Sequence, residues 1–349
     1  MRVVTLHEGH SRSSDIINDV EIVYLPLMNI YWPFDNKVRS KIAKFIWHSI
    51  DCYNLLAKKK VGEEIDLYSP DLVHTNNLAG FSVAAWSAAA ARNIKIIHTS
   101  RDYYLFHPNA TLYKNGQNQD LKSFSVLAWS FIKKRNSHKV STFVGISKFI
   151  KNLHEDNGFF PKSISVFIYN PVTQPPLQHI FGEEVRLGFI GRLSVAKGFP
   201  HYCRIVDEIK GRKPRVTAVA AGDFLEEERD KLEILANTAG VALLGKIALA
   251  EFLTQVDVVI LPAQWKEPFG RTVIEAALAN KIVFVYPSGG IGELMELVPN
   301  VFEIDGDFYH AFLSDEEITQ VALPSNIREM FSPQIITEEY IAEYDRIKK

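Results

Sequence analysis

The sequence predicts an α/β protein with two domains built on parallel sheets. Short apolar runs typical of buried strands alternate with helix-like runs along the whole chain. The 349 residues are enough for two domains of ordinary size. A proline-containing stretch, residues 173–184, is typical of an interdomain linker. We therefore predict a first domain at 1–172, a second at 185–332 and a C-terminal helix at 333–349.

The composition is that of a globular protein, with 47% hydrophobic and 23% charged residues. The two cysteines lie far apart and form no disulfide or metal-binding pattern, so a reducing compartment is expected. The first residues lead into a strand and not into a signal-peptide core. No run approaches the ~20 apolar residues that a membrane span needs. These features predict a cytoplasmic protein.

The charge is distributed unevenly between the two halves. Residues 1–170 contain 21 Lys and Arg against 14 Asp and Glu, and the remainder contains 18 against 27. A basic half suggests an anionic acceptor or surface as its partner. The alternative is chance variation in the charges of a solvated surface.

Five strands are predicted in the first half, at residues 2–7, 21–27, 71–77, 94–100 and 164–169. About a dozen residues separate the first two, which is close to the minimum for a parallel crossover, so a full helix hardly fits there. An alanine-rich helix is predicted at 78–92. Open α/β sheets bind ligands at the C-terminal ends of their strands, where this half places Gly9, His74, Arg101, Asp102 and Tyr103. His74 lies within its strand, so a packed or hydrogen-bonded histidine is the alternative.

Two basic segments, residues 37–60 and 122–139, also contain aromatic side chains. The first is predicted to form one long helix, because apolar residues recur in it at helical spacing. These residues are Val38, Ile42, Phe45, Ile46, Ile50 and Tyr53. The cations of the second segment are Lys133, Lys134, Arg135 and Lys139. Either segment would suit an anionic membrane surface. The alternative is an ordinary helix that packs on the core and has a solvated face.

The second half is predicted to contain strands at 185–190, 215–221, 241–244, 258–262 and 282–286. The turn after the first of them, Gly191 to Gly198, includes Arg192 and Lys197. A glycine-containing turn between a strand and a helix, carrying two cations, suits a diphosphate. The turn is neither a Walker loop nor a G-x-G-x-x-G fingerprint.

The stretch 265–277 carries the strongest functional signal. It follows a buried strand, so Glu267 is expected on a loop and Glu275 about two turns into the next helix. Between them, residues 269–272 offer backbone N–H groups at the helix start. Such N–H groups hold phosphate, and flanking carboxylates accept hydrogen bonds from sugar hydroxyls. The alternative is that Glu267 caps the helix and Glu275 is an ordinary surface residue.

Taken together, these motifs resemble the retaining glycosyltransferases of family 4, the glycosyl transferases group 1. The matching residues are Gly191-Arg192, Lys197-Gly198, Gly222-Asp223, Gly245-Lys246, Glu267-Pro268-Phe269-Gly270, Glu275-Ala276, Gly289-Gly290 and Glu293-Leu294. They cover residues 186–296, whereas 71–170 match loosely and 1–70 weakly. The resemblance implies the GT-B fold, two Rossmann-like domains with the active site in the cleft between them. We also expect the helix at 333–349 to pack back on the first domain.

The resemblance assigns a role to each candidate residue. Its implied catalytic residues are Arg192, Lys197 and Glu267. Its implied donor-binding residues are Gly9, Gly191, Gly222, Lys246, Ile247, Phe269, Gly270, Arg271, Thr272 and Glu275. Arg192 and Lys197 would hold the donor diphosphate, Glu267 the sugar hydroxyls and Glu275 the ribose. The acceptor-side candidates are His74, Arg101, Asp102 and Tyr103.

Two departures from the family pattern affect the acceptor side. Similar enzymes usually carry histidine where this chain has Arg101, and arginine cannot act as a base at neutral pH. Arg101 would instead stabilise charge or bind an anionic acceptor. The first loop reads Gly9-His10-Ser11 and lacks the usual pair of glycines.

The resemblance implies a retaining, hexosyltransferase-type enzyme that needs no metal and no cofactor besides its nucleotide-sugar co-substrate, UDP-linked as in most similar enzymes. The expected acceptor is a glycan, linked to a lipid diphosphate, in the assembly of surface polysaccharide or O-antigen. Such an enzyme would work in the cytoplasm, on the inner face of the cell membrane, and would bind no nucleic acid. The alternatives are a GT-B sugar-nucleotide epimerase and a non-catalytic sugar-nucleotide-binding partner subunit. An NAD-dependent dehydrogenase is disfavoured because no G-x-G-x-x-G follows any strand.

Overall fold

The computed structural model describes the whole chain except residues 36, 174–183, 213–214, 315–322 and 349. Most of the predicted linker, 173–184, lies outside these described residues. The strands and helices of the first half are β1 (Arg2–His7), β2 (Ser13–Ile17), β3 (Val20–Pro26), α1 (Lys41–Cys52), α2 (Leu55–Tyr68), β4 (Leu72–Asn76), α3 (Ala84–Ala90), β5 (Lys95–Ser100), β6 (Tyr113–Lys114), β7 (Gln117–Asn118), α4 (Phe124–Ser137), β8 (Thr142–Gly145), α5 (Lys148–Asp156) and β9 (Ile164–Phe167).

The second half contains β10 (Val185–Ile190), α6 (Phe199–Arg212), β11 (Val216–Ala221), a 3₁₀ turn (Glu226–Glu228), α7 (Arg229–Thr238), β12 (Ala242–Gly245), α8 (Leu249–Thr254), β13 (Val258–Leu261), α9 (Arg271–Leu278), β14 (Ile282–Val285), α10 (Gly290–Leu297), β15 (Val301–Glu303), α11 (Asp307–Leu313), α12 (Ser325–Met330) and α13 (Pro333–Lys348). Its strands form one parallel sheet in the order β12-β11-β10-β13-β14-β15. This is the strand order of a Rossmann fold. The predicted α/β class with parallel sheets is confirmed.

Buried apolar strands form the centre of the second sheet. Every residue of β13 and β14 is buried. A strand covered by helices on both faces carries apolar residues without alternation, which is why these runs were recognisable in the sequence.

The first half contains two larger sheets and a two-stranded antiparallel hairpin formed by β6 and β7. One is parallel, in the order β4-β5-β8-β9. In the other, β3 pairs in parallel with β1 and antiparallel with β2. β2 was not predicted, because its residues are all exposed and show no apolar pattern. A two-residue turn at Asn18 and Asp19, both with positive φ, connects β2 to β3, as in a tight hairpin.

The single helix predicted at 37–60 is wrong. The chain instead forms α1 and α2, which are separated at Tyr53 and Asn54. The Asn54 side chain accepts hydrogen bonds from the backbone N–H groups of Leu56 and Ala57, at 3.0 and 3.1 Å. It therefore caps α2 and starts a new helix there.

Helix α13 lies against the first half of the chain. The Tyr344 hydroxyl is 2.7 Å from Nδ1 of His74 in β4, and the Tyr340 hydroxyl is 3.2 Å from the Thr99 hydroxyl in β5. Lys348 pairs with Asp71 just before β4. The last helix thus covers one face of the sheet to which β4 and β5 belong.

Candidate active site

Two loops meet where the strand order of the second sheet reverses direction. β10 has β11 on one side and β13 on the other, so the chain leaves the sheet in opposite directions at this point. The loop after β10 contacts the loop after β13, since the Gln264 N–H donates to the Ala196 carbonyl at 2.9 Å. A Cβ on Gly198 would lie 1.7 Å from the Pro262 carbonyl oxygen, so only glycine fits there. Ligands of open α/β sheets bind at such a switch point.

Lys197 and Glu267 form an ion pair at this switch point. Nζ of Lys197 is 2.7 Å from Oε2 of Glu267, and the two side chains are 36% and 18% exposed. The ammonium group also lies 4.7 Å from the centroid of the Trp265 ring. Arg192, on the same loop, is exposed and has no ion pair within the described residues. The loop therefore presents one paired and one unpaired cation.

Helix α9 begins beside this ion pair. Gly270 occupies the N-cap position with φ of 94°. No described residue accepts a hydrogen bond from the backbone N–H groups of Arg271 and Thr272. Glu275 lies one turn into the helix, nearer its start than the two turns predicted. It accepts a 2.9 Å hydrogen bond from Nε of Arg271. Burial raises the pKa of Glu275, and Arg271 opposes the shift.

The other predicted donor-binding residues lie at neighbouring strand ends. The Gly191 N–H donates to the Ala221 carbonyl at 3.0 Å, and the Gly222 N–H donates to the Gly245 carbonyl at 2.8 Å. A Cβ on Gly222 would lie 1.8 Å from the Gly191 carbonyl oxygen. Lys246 and Ile247 directly follow β12. The Lys246 side chain is exposed, and Ile247 is half-buried. The structure thus gathers the C-terminal ends of β10, β11, β12 and β13 along one edge.

Phe269 and Gly9 have different surroundings from the other donor-side candidates. The Phe269 ring is buried, 5.6 Å from the Tyr169 ring and 6.1 Å from the Phe331 ring by their centroids. Only its backbone is therefore available to a ligand. Gly9 lies in the loop after β1, beside the His7 ring. No hydrogen bond of the described residues connects it to the second half.

The acceptor-side candidates fall into two groups. Both ring nitrogens of His74 are occupied, by Tyr344 and by the Thr99 hydroxyl at 2.8 Å. Burial, assisted by Arg101, lowers the pKa of His74 to about 4. A neutral histidine with two partners serves the packing of α13, which favours the packed interpretation.

Arg101 and Asp102 lie at the end of β5, where they border a small cavity. Exposed Arg101 donates to the side-chain oxygens of Asn76 and Asn170. Asp102 accepts from the Tyr104 N–H at 2.8 Å, and burial raises the pKa of its carboxyl group. This edge therefore combines an accessible cation with a partly buried carboxyl group.

Tyr103 connects the two halves of the protein. Its ring is buried, and its hydroxyl donates to the Lys266 carbonyl at 2.5 Å. The Asn118 side chain accepts from the Lys266 N–H and donates to the Gln264 carbonyl, both at 3.1 Å. These bonds place the loop after β5 directly against the loop that carries Glu267.

Helix α5 makes a second contact between the halves. The Ser147 hydroxyl donates to the Pro268 carbonyl at 2.6 Å. The Glu293 carboxylate, on α10, accepts from the N–H groups of Lys148 and Phe149 at 3.1 and 3.4 Å. A carboxylate from one half thus caps a helix of the other.

The sequence analysis gave no role to Ser147, Glu293 or Glu228. Glu228 accepts from the Val195 N–H at 2.9 Å and so helps to fix the loop after β10. Ser147 lies in the loosely matching first half and Glu293 in a matched motif, but the partners of Glu293 lie about 145 residues earlier. Local patterns carry no signal for such a pairing.

Neither a metal site nor a membrane-spanning helix is found in the described part of the chain. No three His, Cys, Asp or Glu side chains there are grouped so that they could hold a metal ion. No helix there combines the length and the apolar character needed to cross a bilayer.

Comparisons with known proteins identify the family. The family described as Glycosyl transferases group 1 matches residues 175–299, and the one described as Glycosyltransferase Family 4 matches residues 16–173. An uncharacterized 42.6 kDa protein in the cps region of Klebsiella pneumoniae is 39% identical, over 98% of this chain and 90% of that protein. The chain belongs to the group 1 glycosyltransferases.

Solved structures share the fold of this glycosyltransferase. The Anabaena protein HepE in complex with UDP is 17% identical and superimposes with a TM-score of 0.66 over 93% of this chain and 86% of that one. A glycosyltransferase from Rickettsia africae is 18% identical and gives a TM-score of 0.62 over 92% of this chain and 85% of that one. The glycosyltransferase therefore has the two-domain GT-B fold that its motifs implied.

Proposed function

We propose that this glycosyltransferase moves a sugar from a UDP-sugar to a hydroxyl group of a lipid-diphosphate-linked glycan, with retention of configuration, in the assembly of surface polysaccharide. The observation that carries the proposal is the Lys197–Glu267 ion pair at the switch point of the second sheet. Free Arg192 and the start of α9 lie on the two loops that meet there. Relatives support both the proposed donor and the proposed role in polysaccharide assembly. HepE was solved with UDP and with UDP-glucose, and the Klebsiella relative lies in a cps region.

The donor is proposed to bind along the strand ends of the second half. Its diphosphate would lie between Arg192, Lys197 and the free N–H groups at the start of α9, where the helix dipole also favours negative charge. The diphosphate would become a second anionic partner for Lys197, leaving Glu267 to accept from sugar hydroxyls. The carboxylate of Glu275 would accept from the ribose hydroxyls. Half-buried Ile247, next to Lys246, would face the base.

The chemical step is proposed to depend on the stabilisation of the leaving group. The bond between C1 of the sugar and the phosphate oxygen breaks, and its electron pair goes to the diphosphate, where Arg192, Lys197 and the helix N–H groups stabilise the added charge. The acceptor oxygen forms the new bond to C1 on the same face. Its proton passes to the leaving phosphate oxygen, so charge and atoms balance. This route needs no base from the protein.

The acceptor is proposed to bind at the end of β5. Arg101 is exposed there, and Tyr103 contacts the loop that carries Glu267. A guanidinium group binds phosphate oxygens through two parallel hydrogen bonds, which suits a lipid diphosphate. Arg101 would therefore position the acceptor, in keeping with the excess of positive charge in the first half.

The donor is identified first, by a thermal-shift screen of UDP-, GDP- and ADP-sugars. A UDP-sugar should raise the melting temperature most, because a ligand that binds only the folded state stabilises it. Transfer to lipid-linked glycans is then measured with that donor. Conversion of the donor without an acceptor would indicate an epimerase, and binding without any transfer would indicate a non-catalytic subunit.

Lys197→Ala and Glu267→Gln test the site itself. Each should lower kcat/KM by about 10²–10³-fold, as expected when one group that stabilises the transition state is lost. Lys231→Ala and Glu227→Gln, at exposed positions of the same half, should leave transfer unchanged. Transfer close to that of the wild type by both site variants would refute the assignment.

A further inference from the structure

The apolar stripe of α1 points away from the core. Ile42, Phe45 and Ile46 lie on one face of the helix and are 43 to 73% exposed. Trp47 and Asp51 face inward and are buried. The sequence left open whether this stripe packs on the core, and the structure shows that α1 turns it towards solvent. An amphipathic helix with its apolar face outward needs a further partner to bury that face.

Helix α4 presents a second apolar stripe beside the first. Phe124, Leu127 and Phe131 are spaced by three and four residues, so they share one face, and they are 54 to 87% exposed. The two helices are neighbours, since the Phe45 ring lies 5.6 Å from the Trp129 ring by their centroids. We call the six exposed side chains Ile42, Phe45, Ile46, Phe124, Leu127 and Phe131 the α1–α4 face.

Cations surround the α1–α4 face. These exposed side chains are Lys41, Lys44, Lys122, Lys134 and Arg135. Neither helix exposes an acidic side chain, because Asp51 of α1 is buried and α4 contains none. The prediction that Lys133 belongs to this basic surface is wrong, since its side chain is buried.

We propose that the α1–α4 face docks this protein on the surface of an anionic lipid bilayer. Exposed aromatic and aliphatic side chains can enter the boundary between headgroups and acyl chains, where they lose contact with water. The flanking cations would face lipid phosphates, and each contributes to binding near a negatively charged surface. An apolar face flanked by exposed cations, on two helices that expose no acidic side chain, fits this occupant by charge and by chemistry.

The docking surface is connected to the proposed acceptor site. The Asp51 carboxylate, on α1, accepts from the Tyr104 hydroxyl at 2.8 Å, and Lys133, on α4, donates to the Tyr104 carbonyl at 2.6 Å. The residue before Tyr104 contacts the loop that carries Glu267. Both helices are therefore anchored to the loop after β5. Docking would bring a lipid-linked acceptor close to the cleft, and this consequence rests on the proposed function.

Vesicle co-sedimentation tests the docking. The full chain should sediment with vesicles of phosphatidylglycerol and phosphatidylcholine, less so at high salt, and hardly at all with phosphatidylcholine alone. Phe45→Glu with Phe131→Glu should weaken binding by more than about tenfold, because two apolar side chains no longer enter the bilayer. Ile234→Glu, at a position of α7 that is 67% exposed, is the matched control and should bind like the wild type.

Charge reversal tests the electrostatic part of the docking. Lys41→Glu and Lys44→Glu should each weaken binding at least about fivefold, whereas Lys231→Glu, on α7, should have no comparable effect. Absence of vesicle binding by the wild type would overturn the proposal. Equal losses of vesicle binding in the α1–α4 and α7 variants would also overturn it. So would a wild-type protein that is dimeric in solution and becomes monomeric when Phe45 and Phe131 are replaced. The thermal shift with the UDP-sugar reports the donor site separately, so failure of docking is distinguishable from failure of the proposed function.

Discussion

Asp51 and Lys133 are charged side chains buried behind the loop that follows β5. Nζ of Lys133 lies 3.7 Å from the centroid of the Tyr104 ring, and burial lowers the pKa of this amine. Burial raises the pKa of Asp51 from 3.8 to about 6, against the opposing effects of Lys133 and of the hydrogen bonds from Tyr104 and Gly80. Lys133, which was predicted to lie on a basic surface, therefore forms an internal cluster with Asp51.

Asp51 predicts a pH dependence of stability. Its pKa in the folded state lies above its value in the unfolded chain, so its stabilising contribution is complete below pH 3.8 and is lost as the pH rises through about 6. Relative to Asp51→Asn, the wild type should lose about 2 kcal/mol of unfolding free energy between pH 4 and pH 7. Urea unfolding at a series of pH values measures this difference.

The control for this measurement is Asp230→Asn, at an exposed position of α7. This variant should follow the wild type at every pH. If the difference in unfolding free energy between the wild type and Asp51→Asn were the same at every pH, the buried carboxyl group would titrate as it does in the unfolded chain.

At the residue scale, the sequence indicated the residues that meet at the switch point of the second sheet better than the contacts between the two halves. Lys197 and Glu267 are each part of a local motif at a strand end, and the structure pairs them. The roles of Tyr103 and Glu293 in joining the two halves could not be predicted, because their partners lie about 145 to 163 residues away in the chain.

Helices α1 and α2 show that one side chain can decide where an element ends. A helical pattern of apolar residues runs through the break between them, so periodicity alone predicted one helix. Asn54 caps α2, and its Nδ2 donates to the Met28 carbonyl at 2.6 Å. The cap also fixes α2 against the segment that follows β3.

Asn54→Ala should destabilise the protein by about 1–2 kcal/mol, because the cap is lost and the Met28 carbonyl loses its partner. The midpoint of urea unfolding measures this loss. Ser123→Ala is the matched control, since Ser123 occupies the N-cap position of α4 without making a capping bond. Equal effects of the two substitutions would contradict the assigned role of Asn54.

Most strands that are covered on both faces were predictable, although β8 was not predicted and is buried at every residue. β13 and β14 are continuous apolar runs and β10 is interrupted only by Arg186, and the structure places all three inside the second sheet. β2 and β15 were missed because β2 is wholly exposed and β15 has only three residues. Which strands pair with each other could not be predicted, because pairing depends on contacts that no local pattern encodes.

At the scale of the whole molecule, polar contacts join the two halves, in addition to the packing of the Tyr169 ring on Phe269 and Phe331. They include the Tyr103 hydroxyl, the Asn118 amide, the Ser147 hydroxyl and the Glu293 carboxylate. These groups are polar and bond mainly to backbone atoms. Such contacts can be broken and remade, as closure of a cleft around a substrate requires.

Tyr103→Phe combined with Glu293→Ala should therefore open the cleft. Without donor, the radius of gyration measured by small-angle X-ray scattering should exceed that of the wild type, and a bound UDP-sugar should reduce the difference. Tyr68→Phe with Glu296→Ala is the matched control, because Tyr68 is an exposed residue of α2 and Glu296 is an exposed residue of the same helix as Glu293. An unchanged radius in the test variant would show that these bonds do not hold the halves together.

Helix α13 has a consequence for biosynthesis. The ring of His74 in β4 finds its partner in Tyr344, which is translated 270 residues later. While the nascent polypeptide is still being elongated, this part of the sheet in the amino-terminal half remains uncovered. A polypeptide terminated before codon 333 would therefore lack α13, and its first half would expose the face of the sheet that this helix covers, even if its earlier residues fold correctly.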